Sequence, residues 1–179
     1  MSKSKKLTLC AMLVALSFTL MLISKLIPAP WLQGGNITIA SMVPIIAVSL
    51  LLGTKWGILS GFVFSLLQLI TGFYPPPAQN FISFFLAVML DYILAFSCLG
   101  LAHFFYSVSG KKKWAVGFSG FAVTIIRYIC HILSGLVVWG VYAGDNSVLV
   151  YSVVYNGTYM IPEIIITTVT LSFLSRWLR

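Results

Sequence analysis

The sequence predicts an all-α integral membrane protein of six transmembrane helices, with the N and C termini both cytoplasmic. Three observations carry that prediction: the composition, the spacing of the apolar stretches and the one-sided placement of basic residues. Of 179 residues, 60% are hydrophobic and only 8% charged, and the mean hydropathy is +1.03. A soluble domain carries about 25% charged residues. This chain has too few to cover a surface in water, so its solvent is lipid.

Six apolar stretches follow in order: 7–27, 37–52, 57–72, 81–106, 115–139 and 150–175. The first is long enough to span and has no small-residue cleavage site after it, so a true first helix is expected rather than a removable leader. Pro28, Pro30, Gly34 and Gly35 break the first join, and Gly53 with Gly57 brackets the second. Thr71-Gly72 followed by Pro75-Pro76-Pro77 ends the third stretch. Ser109-Gly110 and Lys111-Lys112-Lys113 end the fourth, and Gly140, Gly144, Asp145 and Asn146 the fifth. There is no internal repeat, and residues 1–179 read as a single domain. The three cysteines, Cys10, Cys98 and Cys130, lie far apart in apolar runs without metal-ligand spacing, as small buried hydrophobes do.

Orientation comes from the basic residues. Lys3, Lys5, Lys6, Lys55, Lys111, Lys112, Lys113, Arg176 and Arg179 all fall on one side if there are six spans, whereas the opposite loops carry Lys25 and Asp145. The net charge of +8 is accounted for by topology and anionic headgroups and implies no nucleic acid. Trp56, Trp114 and Trp177 fit interfacial belt positions.

Asp91, Arg127, His131 and Glu163 lie inside the spans. A charged side chain at the bilayer centre costs about 2.5–3.5 kcal/mol on insertion scales, so each needs a reason to be there. Asp91 sits about 15 Å below the outer end of its span, and His131 about 12 Å below Trp139. Arg127 and His131 are four apart on one helix face, which Gly135 continues outward. Asn156, Tyr159 and Glu163 share another face at i, i+3 and i+7, with Tyr151 at the outer end. These groups converge in the outer half of helices four, five and six as a polar pocket open to the outside. A carboxylate among the rings of Tyr92, Trp139 and Tyr151 suits a flat, cationic heteroaromatic ligand. The structural alternatives are an Asp91–Arg127 ion pair, a satisfied core histidine at His131, Trp139 as a belt residue, and Glu163 as a partner for Arg127.

Catalysis finds little support: no GxSxG, no metal-spaced His/Glu motif and no close carboxylate pair occurs, so no catalytic, metal or cofactor residues are assigned. The GxxxxGK[ST] phosphate loop is missing too, so uphill transport would draw its energy from a partner. Ala11 and Ala15 form a small-xxx-small pair that lets another helix approach near the cytoplasmic end.

Four blocks, in order, carry a family resemblance: Gln33-Gly34-Gly35 followed by Met42-Val43-Pro44-Ile45; Leu90-Asp91-Tyr92; Arg127-Tyr128 through His131 to Ser134-Gly135; and Tyr151-Ser152 through Asn156-Gly157-Thr158-Tyr159-Met160 to Pro162. Together they resemble the thiamine-specific substrate-binding (S) component of energy-coupling-factor transporters of the bacterial plasma membrane. The resemblance implies high-affinity thiamine binding on the outer side and docking onto a membrane coupling subunit and two ATPase subunits. It places Asp91, Tyr92, His131, the Gly135 backbone, Trp139, Tyr151 and Asn156 in the ligand site, and Ala11 and Ala15 in the docking motif. Asp91 would offset the thiazolium charge, Trp139 and His131 would flank rings, and Tyr151 and Asn156 would hydrogen-bond the aminopyrimidine edge.

Two departures stand out. Where the family's carboxylate is glutamate, this chain has the shorter Asp91. The tryptophan that covers the ligand in some members is displaced to Trp31, which with Tyr74 is a lid candidate. Glu163 matches no family role. The rival readings are an S component for another vitamin or a thiamine precursor, a membrane enzyme, or a channel.

Overall fold

A computed structural model of the chain describes residues 1–26 and 35–178. Trp31, Gln33, Gly34 and the two prolines of the first join lie outside the described residues. Six helices account for most of what is described: α1 Lys3–Ser24, α2 Met42–Leu52, α3 Thr54–Gly72, α4 Phe81–Val108, α5 Trp114–Val137 and α6 Val148–Leu174. Five of them are long and apolar enough to cross a membrane. No strand occurs among the described residues.

The second helix differs from the sequence expectation of 37–52. Residues 37–41 are not helical. The remaining 11 residues rise about 17 Å, short of a hydrocarbon core of about 30 Å. The reason is burial. Every residue from Met42 to Leu50 is buried, and α2 contacts all five other helices. A helix that is apolar all round and encased in protein has no lipid thickness to match.

The second join also differs. Gly53, at φ +95°, makes the turn alone, and α3 begins at Thr54. Gly57 is therefore inside α3 rather than in a break. A Cβ there would lie 2.8 Å from the Gly100 Cα. Ser49 Oγ donates to the Gly100 carbonyl at 2.5 Å and accepts from the His103 amide at 3.0 Å. Small residues thus let α2, α3 and α4 meet backbone to backbone, as is common where lipid supplies no drive for helix association.

Gly35 and Asn36 ahead of α2, the start of the α3–α4 connection and the end of α5 meet around one end of the bundle. Lys25 ties two helix ends there, donating from Nζ to the Thr71 carbonyl at 3.1 Å. A cation at the last carbonyls of α3 also complements that helix's dipole. Helix α5 and α6 pack along each other. Gly135 permits this, because a Cβ would run into the Ser152 side chain, which donates to the Ile132 carbonyl at 2.9 Å.

Candidate functional site

At this end of the bundle a cavity opens between α3, α4, α5, α6 and the residues Gly35 and Asn36. It holds about 860 Å³ of non-atom space, part of it open to the surroundings. All seven ligand-site residues expected from the sequence line it: Asp91, Tyr92, His131, Gly135, Trp139, Tyr151 and Asn156.

Asp91 is at the centre. It lies in a π-helical turn, Val88–Leu94, within α4. Such turns are rare and, where they occur, are frequent at functional positions. The wider turn lets both Asp91 and its neighbour Tyr92 face the cavity. Oδ1 of Asp91 is 3.0 Å from His131 Nδ1. Oδ2 accepts from Ser134 Oγ at 2.5 Å and from Trp139 Nε1 at 2.9 Å. An ionised carboxylate only accepts, so Nδ1 is the protonated nitrogen of His131 in this pairing. The side chain keeps 17% exposure, enough to meet a ligand. Three donors from one helix and its end hold the charge in place before any ligand arrives.

Arg127 does not pair with Asp91. Its guanidinium donates from Nη1 to Met42 Sδ at 2.7 Å and sits 4.3 Å from the Phe96 ring centroid. It lines the cavity floor and is buried. Nor does Glu163 pair with Arg127: its Oε1 accepts the backbone amide of Thr38. Among the described residues, the ion pair formed by either of these carboxylates is that of Asp91 with His131. The Asp91–Arg127 ion pair is therefore corrected, while Glu163 stays within electrostatic reach of Arg127 without a direct ion pair among the described residues. The guanidinium instead meets an aromatic face and a polarisable sulfur, and its Nε is buried without a hydrogen-bond partner among the described residues.

Helix α6 supplies the opposite wall. Asn156 Nδ2 donates to the His131 carbonyl at 3.2 Å and the Ser152 carbonyl at 2.9 Å. Its Oδ1 accepts from the Tyr159 hydroxyl. Asn156 thus joins α5 to α6 and orients the backbone beneath His131. Tyr151 and Tyr155 stack with centroids 5.6 Å apart. On the α3–α4 side, the Tyr92 hydroxyl accepts from the Tyr74 amide at 3.0 Å and donates to the Gly72 carbonyl at 3.3 Å. Tyr74 lies over the cavity beside Trp139, centroids 5.6 Å apart. Trp139 also stacks on Tyr142 at 6.4 Å and 17°.

Several lining residues were absent from the sequence assignment: Gly35, Asn36, Gln68, Gly72, Phe96 and Tyr155, while Tyr159 was placed on the pocket face without a ligand role. Ser134, which contacts Asp91 directly, was quoted in a motif but given no role. Its spacing from Arg127, i+7 on the same face, was the available signal. Gln68 had none, since a single amide in an apolar helix carries no pattern. Ala11 and Ala15 lie away from the cavity, exposed on α1, while Val14, Ser17 and Met21 turn inward.

Residues 7–178 match the family described as Thiamine transporter protein (Thia_YuaJ). The chain is 34% identical over 154 residues to the thiamine transporter ThiT of Bacillus subtilis, covering 79% of this chain and 76% of that protein. It is 31% identical over 149 residues to ThiT of Lacticaseibacillus paracasei, covering 74% and 70%. A solved structure of ThiT from Listeria monocytogenes superposes with a TM-score of 0.74 over 98% of this chain and 95% of that one, at 20% identity, and so shares the fold. The cavity, the multi-pass apolar bundle and these matches agree that the chain belongs to the thiamine transporter protein family.

Proposed function

We propose that this chain captures thiamine in the cavity around Asp91 and serves as the S component of an ATP-driven energy-coupling-factor uptake transporter. It is a multi-pass plasma-membrane transport protein rather than an enzyme. The observation that carries the proposal is the Asp91 carboxylate, held by His131, Ser134 and Trp139 in a cavity lined by aromatic rings. Thiamine is a permanent cation with two flat heteroaromatic rings. A fixed carboxylate at reduced dielectric attracts the thiazolium strongly, and tyrosine and tryptophan faces favour a cation and a flat ring.

Roles for the single six-helix unit, 1–179, follow. Asp91 offsets the thiazolium charge. Trp139, with Tyr74 beside it, offers ring surface, and Tyr151 offers a hydroxyl at the cavity wall. Asn156 acts by orienting α5 against α6, since its amide already serves His131, Ser152 and Tyr159. The exposed Ala11/Ala15 face of α1 docks onto a membrane coupling subunit backed by two ATPases, close approach being what small residues permit. Both termini face the cytoplasm, so the cavity faces outward.

Titrating the purified protein with thiamine and a panel of other vitamins, followed by calorimetry, tests this. Saturable thiamine binding is expected. Saturable binding of an uncharged vitamin with no response to thiamine would overturn it.

A further inference from the structure

Unlike Asp91, Arg127 and His131, Glu163 does not line the cavity. It is nonetheless a carboxylate only 1% exposed, and its Oε2 is buried with no partner among the described residues. Burying a carboxylate is costly, and a neutral amide or hydroxyl would accept one N–H at lower cost. What a carboxylate adds is a stronger, charge-assisted bond. That bond is made to the backbone amide of Thr38.

Thr38 belongs to the non-helical connection 35–41, which has two side-chain tethers. Thr38 is held by Glu163 on α6, and the Ile39 amide donates to Ser24 Oγ on α1 at 2.8 Å. Next in the chain, Ala40 has φ +56°. A non-glycine residue adopts that conformation at a cost, and keeps it where its surroundings over-determine it. On the other side of the tether, Gly35 and Asn36 form part of the cavity wall. Gly35, at φ +100°, lies so close to the Tyr159 ring that a Cβ would be 2.8 Å from Cδ1. Tyr159 in turn donates to Asn156, which holds the His131 carbonyl. Asn156, Tyr159 and Glu163 therefore use one face of α6 to hold both the polar cluster and the wall opposite it.

We propose that Glu163 is a positioning residue for ligand retention: by clasping the Thr38 amide it fixes 35–41 as a wall of the cavity and so sets how fast bound thiamine leaves. The proposal rests on the reading that thiamine occupies this cavity. Affinity differences among variants of one site fall mostly on dissociation. A clasp remote from the ligand follows that pattern, changing the off-rate while leaving approach to the cavity alone.

The test uses the full chain in detergent, as wild type, Glu163→Ala and Glu163→Gln. One arm needs no ligand: amide hydrogen exchange of residues 36–41 against that of α2. The other is the thiamine dissociation rate, read by chase with excess unlabelled ligand, alongside the association rate. In Glu163→Ala, exchange at 36–41 and the dissociation rate should each rise about tenfold or more, the change that loss of one charge-assisted hydrogen bond carries. Exchange in α2 and the association rate should stay near wild type. Glu163→Gln keeps an accepting oxygen, so it should restore most of the protection and most of the retention. Should Glu163→Ala not fold, Glu163→Gln decides: both rates should rise a few-fold, and wild-type values in both overturn the proposal. Unchanged exchange at 36–41 in Glu163→Ala, or raised exchange with unchanged dissociation, overturns it as well. A wild type that does not bind thiamine overturns the functional reading and the retention role with it, while the exchange arm still reports on the tether itself.

Discussion

The indole Nε1 of Trp139 donates to Oδ2 of Asp91 at 2.9 Å, joining a carboxylate inside α4 to the ring that follows the end of α5. The bond does two things at once. It fixes the plane of an aromatic surface at the cavity, and it takes up one acceptor position of the charge beneath it. Ser134 shares both partners, donating to the same Oδ2 and accepting from Trp139 Nε1 at 3.1 Å. Charge and ring are therefore one unit, and perturbing either should be felt by the other.

Asp91→Asn should weaken thiamine binding by roughly 30-fold or more, because truncating one charge of a desolvated pair costs about 2–5 kcal/mol. Folding should suffer much less. Arg127 has no ion pair with Asp91 to lose, and the amide oxygen still accepts a hydrogen bond. Thiamine affinity and melting temperature measured on one preparation separate these effects. A collapse in melting temperature with unchanged affinity would sink the ligand role of Asp91.

Trp139→Phe removes the donor to Asp91 and the ring face with the best cation affinity. Thiamine should quench intrinsic tryptophan fluorescence in the wild type, and most of that response should vanish in the variant. Equal quenching in both would place Trp139 outside the site.

Ser134→Ala leaves Asp91 with one donor fewer and Trp139 with one acceptor fewer. A hydrogen bond to a charged group contributes about 1.5–3 kcal/mol, so affinity should fall about tenfold or more. Calorimetry checks it. Wild-type affinity would show that the 2.5 Å contact does not tune the carboxylate.

Gly135→Val drives a side chain into Ser152. Overpacking of this kind costs about 1–3 kcal/mol, and it forces α6 away from α5, where Asn156 reaches His131. The melting temperature should drop and thiamine binding should weaken together. A variant with wild-type values for both would mean that the close approach is dispensable.

Ala11→Trp combined with Ala15→Trp should leave thiamine binding intact and abolish cellular uptake, since both residues lie on the exposed face of α1. Uptake that survives the double substitution would remove the docking assignment.

Most of the fold could be read from the chain because lipid imposes a one-dimensional rule. A stretch must be apolar and about 20 residues long to cross, and Gly/Pro clusters or lysine runs mark where it stops. The same rule pointed to the cavity lining, since Asp91, Arg127 and His131 are costly in lipid and had to face inward. It failed at α2, where a helix sealed by protein is released from the thickness requirement, and at Gly57, where a glycine serves a helix crossing and not a turn. What composition and spacing determined, then, was a lipid-solvated helical bundle with a carboxylate and aromatic rings at matching depth. Partner choice was decided only in three dimensions. Asp91 meets His131, Ser134 and Trp139 rather than Arg127, Arg127 meets Phe96 and Met42, and Glu163 reaches back 125 residues to Thr38. Helical periodicity places side chains on a face but says nothing of which neighbouring helix that face meets, because that depends on how the small residues Ser49, Gly57, Gly100 and Gly135 let the helices close together.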